Sequence, residues 1–457
     1  MNRRPFSGTS RRAFLQAGAA AFASAAFAPR VFATPRAFTP PPPAGAKLVL
    51  INLEGAYDAL NMVPPLTGTV ANDYRALRPL LAVRPAVSGQ PVPLVQPIAL
   101  PGVPAFGLHP ALGVIATEFA ANKCAIVQKV GLAQAQLSHF KARDIMAAGR
   151  FDTGVIDPRG WLGRLADVHF TSSESVMGVG VQQQPIFTAN VVKPSVITNL
   201  GNFAISNTIS SVETAQRRAA LADMCAQAFG GEARVPAGFR GPIVRGGALS
   251  SSLIAAVSSV VPPNTVVPPG QTFSPYGDPV SENLAGSLSD IAKLIAAPGL
   301  PSRVFYTASG GFDTHGYMEE QGPGNKPTLT SRLTAVMQAL GAFIADLKSP
   351  AVNKWNSTTI CIFTEFGRRN AENQTRGTDH GRGFHAFVLG GGVIGGLKGA
   401  TLVSGDLGIG TSNENLPVQI DVRGLFKKLV QDWLLLDPSL VFDDYVPAPG
   451  EPAYTLF

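Results

Sequence analysis

The chain has 457 residues, 45% of them hydrophobic, which is enough for one large domain or two to three average ones with a true core. Its net charge of +7 falls to +2 once residues 1–33 are set aside, because that segment holds Arg3, Arg4, Arg11, Arg12 and Arg30 and no acid; bulk charge therefore gives no case for nucleic acid. Three widely spaced cysteines (Cys124, Cys225 and Cys361) exclude a disulfide framework, and Cys124 and Cys361 sit in apolar runs as core thiols would.

At the N-terminus, Ser10-Arg11-Arg12-Ala13-Phe14-Leu15 has the form of a twin-arginine export signal. An Ala-rich apolar run from Ala17 to Ala28 follows, and then Val31-Phe32-Ala33, a small-residue end suited to cleavage after Ala33. The run is shorter than the roughly 20 residues a membrane span needs, and no later stretch is a transmembrane candidate. Residues 1–33 are thus expected to be a signal read by the twin-arginine translocation machinery, which makes the mature chain periplasmic or secreted. Residues 34–46, with Pro40 to Pro43, read as a stiff linker.

From residue 47 the pattern changes. Four short apolar or β-branched runs, Leu48–Leu53, Cys124–Val130, Val304–Ala308 and Thr358–Phe363, are expected strands of a sheet covered on both faces. Helical periodicity lies between them, as at Leu333 to Leu347, and this alternation predicts an α/β fold with a mostly parallel sheet. From about residue 170 to 280 the chain turns rich in Ser, Val, Pro and Gly, and Val260 to Gly270 is too proline-rich for a helix. That region is expected to be an irregular insertion or lid carrying a helix over Val212 to Phe229.

In open parallel sheets, ligands bind beyond the carboxyl ends of the strands, and the polar clusters of this chain fall there. After the first expected strand come Glu54, Asp58 and Asn61. After the second come Ser138, His139 and Asp144; after the third, Gly310-Gly311-Phe312-Asp313-Thr314-His315-Gly316. After the fourth come Thr364-Glu365-Phe366-Gly367-Arg368, then Gly377-Thr378-Asp379-His380-Gly381 and His385. Asp313 and His315 share one side of an extended segment, and Asp379-His380 sits on a glycine-flanked turn. Mixed carboxylate and imidazole ligands suit Zn, Mn or Fe more than Mg or Ca. Glu365 and Arg368 are expected either to act in the site or simply to pair with each other across their loop. Ser138, at a helix start, is either a cap or a nucleophile favoured by the positive helix end. His139 beside it could bind metal or the substrate anion. His109, before a helix, reads as structural, and Gly390 to Gly396 as a tight turn that lacks the lysine of a phosphate loop.

Together these motifs resemble the bacterial domain-of-unknown-function family 1501, exported proteins related to the sulfatase and alkaline phosphatase superfamily. The resemblance covers nearly all of the chain after residue 46. It rests on GAYDALNMVPP (55–65), FGLHPAL (106–112), SHFKARD (138–144), GWLGR (160–164), GGFDTHG (310–316), TEFGRR (364–369), GTDHGRG (377–383) and GGGVIGG (390–396). It implies a three-layer α/β/α sandwich, alkaline phosphatase-like, over residues 47–457. It also implies a metal site with Asp58 as first-strand acid, Ser138 as hydroxyl, Asp313, His315, Asp379 and His380 as later ligands, and His385 as a further one. The chain departs from the family in reading Gly55-Ala56-Tyr57-Asp58-Ala59 where Gly-Gly-x-Asp-Gly is usual. The function implied is an exported metal-dependent hydrolase of phosphate or sulfate esters, on a small-molecule or glycan substrate. A non-catalytic binding protein or a structural subunit on the same fold is the alternative.

Overall fold

Lys47–Leu53 (β1) is buried along all but its first residue, as a strand with apolar side chains on both faces must be. It lies in the middle of the main sheet. In the computed structural model, which describes residues 45–88, 91–134, 137–151, 157–200, 256–257, 259–278, 283–410 and 414–457, the chain next forms a small antiparallel ribbon, Ile98–Ala99 (β2) with Gly107–Leu108 (β3). The other strands of the main sheet are Cys124–Gly131 (β4), Val176–Val179 (β5), Ser195–Ile197 (β6), Val304–Ser309 (β7), Thr358–Phe363 (β8), Phe384–Gly390 (β9), Gly396–Lys398 (β10) and Ile420–Asp421 (β11). The nine strands run β10-β4-β9-β8-β1-β7-β5-β6, with β11 also on β4. Every pairing is parallel except those of β9 with β4 and β8.

The helices are Ala59–Met62 (α1), Gly68–Leu77 (α2), Gly113–Ala120 (α3), His139–Ala148 (α4), Trp161–His169 (α5), Asn283–Ala296 (α6), Leu329–Lys348 (α7) and Val422–Lys428 (α8). They form two groups. In one, α7 packs on α3 and α6, which in turn contact β4 and β7. In the other, α4 contacts α5, and Trp161 of α5 stacks on Phe426 of α8 at 5.0 Å, with Phe363 of β8 edge-on to the same ring. Two helix groups around a sheet whose central strands are buried on both faces make an α/β fold with a mostly parallel sheet.

The four expected strands and the helix at Leu333 to Leu347 are present with margins of a few residues. Two differences and then two agreements stand out. Residues 176–197, inside the stretch expected to be irregular, supply β5 and β6 at one edge of the sheet. β9 was not expected, and it enters antiparallel between β4 and β8. Between Pro262 and Gly270 there is one 3₁₀ turn, Pro263–Thr265, and no α-helix. Gly390 to Gly396 is the tight turn that links β9 to β10. The signal segment 1–33, most of the linker 34–46, the helix expected at Val212 to Phe229 and Cys225 lie outside the described residues. Cys124 and Cys361 are buried free thiols whose pKa values burial raises. Among the described residues no helix is long and apolar enough to cross a membrane.

Candidate metal centre

The loops that follow β1, β4, β7 and β8 meet beyond the carboxyl ends of these strands. Backbone hydrogen bonds join three of them and fold the last on itself: Phe312 donates to the Glu54 carbonyl (3.1 Å) and Thr378 to Thr314 (3.1 Å) between loops, and Arg369 to Asp379 (2.9 Å) and Gly381 to Gly367 (2.8 Å) within the loop after β8. Such close approach needs residues without side chains. A Cβ on Gly55, at φ +112°, would stand 2.5 Å from the Asp313 amide nitrogen, and one on Gly377 would stand 2.3 Å from the His315 carbonyl carbon. Ala56 next to Gly55 takes φ +60°, a left-handed conformation that a glycine would adopt without strain.

Arg368 holds the assembly from beneath. It is 2% exposed and donates to the carbonyls of Ala56 (2.7 Å), Thr378 (2.9 Å), Gly55 (2.9 Å) and Phe312 (3.3 Å), and to the Asp313 carboxylate. Burial lowers the pKa of Arg368, against the raising effect of Asp313. For Asp313, burial alone would raise the pKa, but the Arg368 guanidinium, with smaller contributions from His315 and His139, makes the net shift downward, so Asp313 is anionic. Glu365 is fully buried and is not paired with Arg368. Its Oε1 accepts from the Gly55 amide (2.9 Å) and from His139 Nδ1 (2.7 Å), and its Oε2 from the Thr364 hydroxyl (2.8 Å). These bonds overcome the upward push of burial and keep it ionised. Of the two readings for Glu365 and Arg368, the mutual ion pair does not form; the two residues are separate supports, one for an imidazole and one for a carboxylate.

Three ligand atoms face one another above these supports: His139 Nε2, Asp313 Oδ1 and His380 Nε2, all within 4.8 Å of one another. The separations are 3.0 Å for His139 to His380, 3.2 Å for His380 to Asp313 and 3.5 Å for His139 to Asp313. His315 Nε2 adjoins two of them, 2.9 Å from His380 Nε2 and 3.1 Å from Asp313 Oδ1. Two atoms bound to one ion at about 2.1 Å can be at most about 4.2 Å apart, so these separations fit shared coordination.

The other nitrogen of each ring is engaged outward. His139 Nδ1 meets Glu365, His380 Nδ1 meets the Leu137 carbonyl (2.7 Å), and His315 Nδ1 meets Asp379 Oδ1 (3.2 Å). Each partner is an acceptor only, so the tautomer that satisfies it has its proton on Nδ1 and leaves the Nε2 lone pair for a cation. Burial lowers the pKa of His380, which favours its neutral form. Inward-facing lone pairs beside a carboxylate oxygen repel one another, and a cation at their centre removes that repulsion. Imidazoles oriented by a carboxylate or carbonyl behind them are the usual arrangement at metal sites. Nitrogen-rich donors of this kind suit Zn, Mn or Fe better than Mg or Ca.

Other expected residues stand elsewhere. Asp379 lies behind His315 as its acceptor, and Asn373 also donates to it (3.0 Å), so it orients the His315 ring and is not itself in the cluster. Asp58 is fully buried as the N-cap of α1 and pairs with Arg78 at 2.7 Å; its link to the site is the Thr378 hydroxyl at 3.2 Å. Ser138 precedes α4 but its side chain makes no capping hydrogen bond. His109 caps the 3₁₀ turn Pro110–Leu112 and contacts Glu319, a structural role. One residue that sequence reasoning missed is Arg332: a Cβ on Gly311 would stand 2.0 Å from its Nη1, which puts a guanidinium over the Asp313 loop. Nothing in the pattern of α7 links residue 332 to that loop.

His385 also departs from its expected place. It lies in β9, fully buried, with Nδ1 accepting from the Lys129 amide at 3.4 Å, because the strand turns it into the sheet interior and away from the loops. Burial, with a smaller contribution from the Lys129 charge, pushes its pKa down from 6.5 to about 4. The unfolded chain therefore takes up this proton near pH 6.5 and the folded protein only near pH 4. Stability is complete above pH 6.5 and is lost as pH falls toward 4, by about 3 kcal/mol in all at roughly 1.4 kcal/mol per unit. Urea denaturation at pH 7 and pH 5 should show that slope, and His385→Asn should flatten it; an equal slope in the variant would assign the loss to other groups.

An α/β protein with a histidine–aspartate cluster at the strand ends is thus defined by fold and site. Residues 297–419 match the model of the family described as "Protein of unknown function (DUF1501)", which shows the family resemblance over that segment. The match spans Asp313, His315, Glu365, Arg368, Asp379 and His380, while Asp58, Ser138 and His139 lie before it. No curated protein matches the chain. Among solved structures it is similar to the lipoteichoic acid synthase LtaP from Listeria monocytogenes, at 11% identity and a TM-score of 0.32, over 86% of this chain and 72% of that one. It is also similar to a protein in the alkaline phosphatase superfamily from Vibrio parahaemolyticus, at 10% identity and a TM-score of 0.27, over 76% and 60% of the two chains. At such scores the α/β class rests on the sheet itself.

Proposed function

We propose that this protein is an exported metal-dependent hydrolase of phosphate or sulfate esters. The observation that carries the reading is the convergence of His139 Nε2, Asp313 Oδ1 and His380 Nε2, with each ring nitrogen behind them held by an acceptor. A divalent ion held there, with His315 as a further ligand, would polarise the ester and offset charge on its oxygens. Arg332, above the Asp313 loop, binds the anionic group of the ester. Ser138 is the nucleophile, an assignment supported by its uncapped hydroxyl and by its place next to Leu137, whose carbonyl holds His380. Its oxygen attacks phosphorus or sulfur, the bond to the alcohol oxygen breaks, and the alcohol leaves with a proton. Water then displaces the serine and releases inorganic phosphate or sulfate.

A panel of phosphate and sulfate monoesters, assayed with the metal-loaded mature chain, tests this. Turnover is expected, and Ser138→Ala should reduce it by at least about 100-fold while folding and metal content stay unchanged. A metal-loaded protein inert to every ester would return it to a binding role, and a Ser138→Ala variant with full rate would remove the serine from the chemistry. Export rests on Arg11-Arg12 and the apolar run after them. With both arginines changed to lysine, the full-length precursor should stay in the cytoplasm; normal export of that variant would refute the assignment.

A further inference from the structure

The three imidazoles of the centre are not held alike. His139 and His380 rest against the buried Phe366 ring, at 4.8 and 5.0 Å between ring centres, and their side chains are 17% and 22% exposed. His315 is 46% exposed, and its one ring contact among the described residues is with His380 at 4.6 Å. Packing therefore does little to fix its ring. Behind it stands Asp379, itself 54% exposed, and a pairing of two half-exposed side chains competes with water and holds weakly by itself.

Asn373 supplies the missing restraint. Its Nδ2 donates to Asp379 Oδ1 (3.0 Å), the same oxygen that meets His315 Nδ1, and also to the His315 carbonyl (2.9 Å). Its Oδ1 accepts from the amides of Thr375 (3.0 Å) and Gly377 (3.0 Å), which closes the turn leading to Asp379. The Thr375 hydroxyl lies 2.6 Å from the His315 carbonyl, and the Tyr317 amide donates to the Thr375 carbonyl (2.9 Å). One side-chain amide thus ties the backbone of His315 to the carboxylate behind its ring. The work needs an acceptor at one end and two N–H donors at the other, which a carboxamide offers and a carboxylate does not. An aspartate at this position would keep the two accepted bonds and turn both donations into contacts between oxygens.

We propose that Asn373 is a positioning residue of the metal centre: by fixing Asp379 and the His315 backbone together, it aims His315 Nε2 at the ion and makes His315 the fourth protein ligand beside His139, Asp313 and His380. The proposal rests on the metal-centre part of the hydrolase reading and deepens it, since it sets the number of protein ligands. Without the Asn373 amide the His315 ring turns toward water, and the centre keeps three.

Zinc affinity, measured by competition with a metal indicator, tests this on the native mature chain and on Asn373→Asp, Asn373→Ala and His315→Ala. Both Asn373 variants should bind zinc about tenfold to 100-fold more weakly, as loss of a group that orients a ligand does. A residue that merely shaped its own turn would behave otherwise. Asn373→Asp, with both accepted bonds intact, would then stay within about threefold of native while Asn373→Ala weakened, and that result would overturn the proposal. Added to His315→Ala, Asn373→Asp should cost nothing more, because the ring it acts through is gone. An equal loss in both backgrounds would overturn the proposal too.

The His315 ring gives a second readout that needs no metal. Nuclear magnetic resonance of metal-free protein carrying isotope-labelled histidine, at about pH 8 where imidazoles are neutral, distinguishes the two tautomers of each ring. His315, identified by the loss of its signals in His315→Ala, should carry its proton on Nδ1. Both Asn373 variants should shift it toward the Nε2–H form, while His380, held by the Leu137 carbonyl, stays as it is. In a protein that takes up no zinc the metal reading fails, and the tautomer still decides whether Asn373 holds the ring: a shift in both variants supports that hold, and an unchanged His315 overturns it.

Discussion

Native protein should carry about one divalent ion per chain, and His380→Ala should abolish tight binding. His380 stands at the middle of the cluster, with its Nε2 within 2.9 to 3.2 Å of His315, His139 and Asp313. Changes to the groups that merely orient ligands typically cost 10–100-fold in metal affinity, so loss of the central ligand should cost more than about 100-fold. Glu365→Gln gives a graded control. It keeps the shape of the side chain but removes the charge that His139 Nδ1 meets, and it should weaken the metal by about tenfold to 100-fold. Elemental analysis of protein purified without chelator, followed by competition with a metal indicator, reads both. Metal-free native protein, or equal metal in His380→Ala, would contradict the assignment. Binding should also stabilise the fold, by about 2.7 kcal/mol when free ion is 100 times its Kd, so chelator should lower the melting temperature of the native chain and leave that of His380→Ala unmoved.

Arg368→Ala should be among the most damaging single substitutions in the protein. One buried guanidinium serves four backbone carbonyls and the Asp313 carboxylate, drawn from three loops. Its removal leaves those carbonyls unmatched and Asp313 without its cation, at a cost of about 3–5 kcal/mol. Arg368→Lys should rescue little, because a single ammonium cannot span donors set in a planar fork. Denaturant unfolding of both variants provides the measurement, and metal content should fall with stability because Asp313 loses its position. If Arg368→Ala were within about 1 kcal/mol of the native chain, the guanidinium would not be the support described.

Much of this protein is legible in one dimension. A parallel sheet buried on both faces needs short apolar runs, and β1, β4, β7 and β8 read as such. Polar clusters after those runs mark the site because the carboxyl ends of parallel strands open toward a common edge. The glycines around Asp313 and His380 announce loops that must touch. The strands β5, β6 and β11 escaped notice because they are only two to four residues long, too short for a period to show. The full seven residues of β9 were hidden because a histidine and nearby glycines read as an extension of the loop before it.

Which acids and histidines meet was decided by tertiary structure alone. Asp379 and His380 are neighbours in the chain, yet only His380 faces the cluster while Asp379 stands behind His315; the bridge that pairs Arg368 with His380 sets that turn. Asp58 follows the first strand, as a ligand would, but Arg78 claims it. Glu365 and Arg368, three residues apart, hold different partners, His139 and Asp313. Sequence spacing determines the period of an element and the end of the sheet where its loop emerges. Side-chain convergence depends on contacts such as the Gly55 amide on Glu365, made across 310 residues of chain, and no local pattern encodes these.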